Sequence, residues 1–86
     1  MLNSGFLNQQ AALFAARLQK EAGQDTAAQV RLALNLATAR PPAEKEIARG
    51  MKLIDRLKKQ DGASDDAALR YFCLMVLNLN EFLYLD

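Results

Sequence analysis

Apolar residues recur at helical spacing along almost the whole chain, in stretches separated by glycine, a proline pair or an Asp-Gly step. In the first stretch Leu7, Ala11, Phe14 and Leu18 follow at intervals of four, three and four, which predicts a helix over about 5–22. Ser4 is placed to cap its start, and Gly23 to close it in the left-handed conformation. The second helix is predicted over 26–40, capped by Asp25 with Thr26 as the near alternative. Its core face is Val30, Ala33, Leu34 and Ala37, with Leu32 and Leu36 partly off it. Proline lacks an amide hydrogen and biases the preceding residue away from helix, so Arg40-Pro41-Pro42 ends this element. The third, over 43–60, has the cleanest two-faced pattern, with Ile47, Met51, Ile54 and Leu57 on the buried side. Gly50 interrupts it at a cost of about 1 kcal/mol relative to alanine. That glycine is either a point of close approach for a neighbouring helix or simply tolerated.

Asp61-Gly62 marks the next turn, and Ser64 caps a last helix over 65–83 with Asp65 and Asp66 in its first turn. Leu69, Phe72, Cys73, Val76, Leu79 and Leu83 form one stripe of that helix, yet Tyr71, Leu74, Met75, Leu77 and Phe82 are apolar and point elsewhere. A helix apolar on most sides belongs at the centre. The predicted fold is therefore all-α, a single domain over 1–86: a compact bundle of four short helices with the C-terminal helix central. Its expected core is Leu7, Ala11, Phe14, Leu18, Val30, Leu34, Ala37, Ile47, Met51, Ile54, Leu57, Leu69, Phe72, Val76, Leu79 and Leu83. Short neighbours cover only part of such a helix, so some of Tyr71, Leu74, Met75 and Phe82 is expected to stay bare. Monomers rarely leave large apolar patches in water, which points to a homodimer or to docking on the rest of a longer chain.

Composition narrows the chemistry. The 86 residues are 51% hydrophobic and 24% charged, the balance of a globular chain rather than a disordered one. Asn78, Asn80 and Glu81 interrupt the best apolar run, so no membrane span is expected, and no signal-peptide pattern opens the chain. A net charge of +1 supplies no global pull toward nucleic acid, which is disfavoured as a partner. There is no histidine, which removes His-dependent nucleophiles, His-ligated zinc and C-x-x-C-H haem attachment. No glycine-rich phosphate loop, metal-ligand spacing or catalytic pair is present, so we expect no enzyme, no cofactor and no metal.

Three constellations remain. Lys45, Arg49, Lys52, Arg56 and Lys59 recur at intervals of four, three, four and three, a cationic strip opposite the apolar face. It suits phosphates or an acidic protein surface, or it is an ordinary solvated face partly cancelled by Glu44, Glu46 and Asp55. Asn78, Asn80 and Glu81 are polar groups in an apolar run and must find partners or water. Either one amide is exposed while the other ties down a loop, or the three form a polar interface with another domain. Asp65 and Asp66 point about 100° apart and read as capping residues, and Cys73, between Phe72 and Leu74, reads as buried structure.

Three segments carry a family resemblance: Leu2-Asn3-Ser4-Gly5-Phe6-Leu7 with Gln10-Ala11 and Phe14-Ala15, then Leu36-Ala37 with Arg40-Pro41-Pro42 and Glu46, and the ending from Leu77 to Asp86. Together they resemble the C-terminal part of a planctomycete domain of unknown function found at the end of large exported proteins, many with cytochrome-c-like haem domains. The resemblance spans nearly the whole chain, and the terminal motif is its most specific part. It implies an exported parent and haem-bearing partners, and it brings no catalytic residues. The chain departs from the family in length and in having Ala43 where the family has threonine, which weakens the capping box with Glu46. The expected function is a non-enzymatic structural or interaction module, the C-terminal helical part of a larger exported protein. The alternative is a small binder of nucleic acid or an acidic surface through the cationic strip.

Overall fold

The structure, a computed structural model, describes residues 4–78. Four helices follow in order, α1 (Ser4–Ala22), α2 (Thr26–Thr38), α3 (Glu44–Gln60) and α4 (Asp65–Leu77), with no strand among the described residues. The fold is an all-α bundle, and its helix ends are set by local chemistry. At the end of α1, Gly23 sits at φ +70° and donates its N–H to the Gln19 carbonyl. Asp25 caps α2 by accepting the Ala28 N–H at 3.3 Å, and Ser64 caps α4 by accepting that of Ala67 at 3.1 Å.

One helix ends earlier than the apolar pattern suggests. α2 stops at Thr38 rather than at 40, because Arg40 precedes a proline and is steered out of the helical region. Ala39 takes the left-handed position that glycine usually fills (φ 59°) and donates to the Asn35 carbonyl at 2.8 Å. The Thr38 hydroxyl donates to the Leu34 carbonyl at 2.7 Å. α4 is described as far as Leu77, and at that point the Asn78 N–H donates to the Leu74 and Met75 carbonyls while its side-chain amide donates to the Leu74 carbonyl at 3.1 Å. Leu79, Asn80, Glu81, Phe82 and Leu83 lie outside the described residues.

α4 packs on each of the other helices, most extensively on α1, and is the central element. Ala68, Leu69, Phe72, Cys73 and Val76 of α4 are buried against Ala11, Ala15 and Leu18 of α1, Val30, Ala33 and Leu34 of α2, and Ile47 and Ile54 of α3. Phe14 and Leu57 are partly buried on the edge of this cluster, and Leu7 is half-buried. Two expected core residues are exposed. Ala37 sits in the last turn of α2, where the chain leaves the bundle for the exposed Ala39, Arg40 and Pro41. Met51 is 37% exposed because its neighbour Gly50 takes the inward position. Both residues satisfy the spacing between Ile47 and Ile54, at three plus four and four plus three. Packing chooses the glycine: a Cβ built there would lie 2.7 Å from Val30 Cγ1 and 3.0 Å from Phe72 Cε1, so α2 and α4 both press on the bare backbone of α3.

Candidate functional site

The polar face of α3 follows from the buried one. With Gly50, Ile47 and Ile54 turned inward, helical periodicity turns Lys45, Lys52, Arg56 and Lys59 out, and all four are exposed while Arg49 is half-buried. Lys59 reaches Asp55 on its own helix at 3.3 Å. Lys45, Lys52 and Arg56 have no ion-pair partner among the described residues. Lys45, Arg49 and Lys52 surround an open depression that Ala48, with its small side chain, leaves between them.

Glu46 borders this face and is held from the neighbouring helix end. Arg40 Nη1 and Nη2 approach its two carboxylate oxygens at 3.2 and 3.1 Å, and the Ala43 N–H donates to Oε1 at 2.8 Å. The Arg40 hydrogen bonds, then the Ala43 amide, hold the carboxyl below the ordinary glutamate range, with the charges of Arg40 and Arg49 acting the same way and burial opposing them. The capping box is thereby half made. Ala43 has no side-chain acceptor to return the bond.

The apolar residues expected to form an interface divide. Tyr71 is 49% exposed, Leu74 and Met75 are half-buried with Leu74 packed on the core, and Phe82 lies outside the described residues. Tyr71 and Leu74 face Asn8, Ala11 and Ala12 of α1 across an open groove of about 220 Å³. More bare than any of these is the outer side of α1, where Phe6 is 55% and Leu13 65% exposed. Their spacing of seven puts them on one side of the helix, a second apolar stripe hidden in the sequence by the stronger one through Leu7, Phe14 and Leu18.

Of the polar residues near the C-terminal end, the Asn78 side chain is used on the α4 carbonyl, while Asn80 and Glu81 are outside the described residues. Asp65 pairs with Lys58 at 3.2 Å and Asp66 accepts from Gln19 Nε2 at 2.7 Å, so the two carboxylates engage different helices. Cys73 is fully buried and its thiol is pushed up to about 12 by burial, which leaves no thiolate at neutral pH. Among the described residues no group of three His, Cys, Asp or Glu could hold a metal ion, and no helix is long and apolar enough to cross a membrane. No protein-family model, curated protein or solved structure matches the chain.

Proposed function

We propose that the chain is a non-enzymatic structural or interaction module, the C-terminal helical part of a larger exported protein of the planctomycete family it resembles. The observation that carries this reading is the apolar surface left on the outside of α1 and α4: Phe6, Leu13 and Tyr71 are each about half exposed or more, although the bundle has a closed core to bury them in. The occupant of that surface is the remainder of the parent chain, and a second copy of the module replaces it when the module is alone.

Sedimentation of the purified chain across a concentration series tests this. The expected result is reversible association that weakens in Leu13→Glu, with binding of a hydrophobic dye falling in the same variant. A chain that stays monomeric at every concentration and binds no dye refutes it.

A further inference from the structure

The cationic face of α3 deepens the interaction reading by naming a second surface, on a different helix from Leu13, and what fits it. We propose that this face docks an acidic helix of another protein, one whose carboxylates alternate at intervals of four and three. Lys45, Arg49, Lys52, Arg56 and Lys59 follow the same alternation over the length of α3, a line about 21 Å long at ~1.5 Å per residue. A mean repeat of 3.5 residues is the spacing of a seam between two helices, because it drifts only about 20° per heptad around a straight helix. A partner helix laid along that seam meets a cation at every turn. Lys45, Lys52 and Arg56 bring charges that no carboxylate of the described chain takes up, and Ala48 leaves room for a partner side chain between Lys45, Arg49 and Lys52.

The borders of the strip favour a helix over a nucleic acid. Glu44 and Asp55 lie along one edge and Glu46 along the other, paired with Arg31, Lys59 and Arg40, so the cations without a carboxylate partner form a strip no wider than one helix face. α3 contains no aromatic residue on which a base would stack. No described helix of a second copy offers such a line: α1 holds Glu21 alone, α2 no acidic residue, α3 only Glu44, Glu46 and Asp55 beside its own cations, and α4 only the adjacent Asp65 and Asp66.

Fluorescence anisotropy with labelled probes tests the proposal on the full chain. One probe is a helical peptide with glutamates at alternating intervals of four and three, a second has the same residues reordered to break that line, and a third is a duplex oligonucleotide. The ordered peptide is expected to bind at least about tenfold more tightly than the reordered one. Reversing two cations in Lys52→Glu/Arg56→Glu is expected to weaken it by about tenfold or more, a sum of several exposed charge pairs. Lys20→Glu, an exposed reversal on α1, is expected to leave it unchanged. Circular dichroism confirms that each variant folds. No binding, equal binding of the two peptides, tighter binding of the oligonucleotide, or indifference to the double reversal overturns the proposal. Any of these leaves the self-association of the Leu13 face as it was, so the two readings fail separately.

Discussion

Gly50→Ala separates two effects that oppose each other at one position. In an exposed helix interior, alanine in place of glycine stabilises by about 1 kcal/mol through backbone entropy. At Gly50 the new methyl meets Val30 Cγ1 at 2.7 Å and Phe72 Cε1 and Cζ at 3.0 and 3.3 Å, and both of those residues are fully buried. Neither neighbour is the loose end of a flexible surface chain, so one of the helices shifts, and overpacking of this kind costs about 1–3 kcal/mol. The expected net is a loss of up to about 2 kcal/mol, or up to ~15 °C in Tm at ~4–8 °C per kcal/mol for a domain of this size. Urea unfolding followed by far-ultraviolet circular dichroism measures it. The decisive control is Val30→Ala. Alone it destabilises by about 2 kcal/mol, from two buried methyl groups at ~0.8 kcal/mol each and a small cavity. In its background the contact at 2.7 Å is gone, so Gly50→Ala becomes close to neutral or stabilising, a coupling of about 1–2 kcal/mol. A single variant more stable than the wild type, with no coupling to Val30, would refute the close approach of α2 to α3.

Two further outcomes follow from the start of α3. Ala43 has the extended backbone of an N-cap (φ −73°, ψ 155°) but no acceptor, so Ala43→Thr or Ala43→Ser is expected to complete the box with Glu46 and raise stability by about 1 kcal/mol in the same urea assay. The lowered pKa of Glu46 means that its ion pair and hydrogen bonds stabilise the fold fully above the ordinary glutamate range, and that this contribution is lost as pH falls through the lowered folded value. An NMR titration of the Glu46 carboxyl is expected to show a midpoint below the ordinary one that moves up in Arg40→Ala. A midpoint indifferent to Arg40 would contradict the assignment.

Helical periodicity carried most of the architecture, because in a bundle the apolar repeat and the buried face are the same thing. It failed where two residues served the repeat equally well. Met51 and Gly50 differ by one position and about 100°, and only the pressure of Val30 and Phe72 from two other helices decides between them. No local pattern contains that information. The end of α2 differs for the opposite reason, because a local restriction closes the helix two residues before 40. Arg40 before Pro41 stops it.

The cationic strip was legible because exposure opposite a buried face is fixed by period alone. The fate of each charge was not. Arg49 is half-buried, Lys59 turns to Asp55 on its own helix, and Glu46 is claimed by Arg40 from across the proline turn, so the five cations of the repeat are not equivalent in the fold. Gly50 and the strip are thereby linked. The glycine that lets α2 and α4 close on α3 also sets its rotation, and that rotation presents Lys45, Lys52 and Arg56 to solvent. A side chain at Gly50 large enough to turn α3 would therefore disturb the binding face along with the core, whereas charge reversal at Lys52 and Arg56 disturbs the face alone.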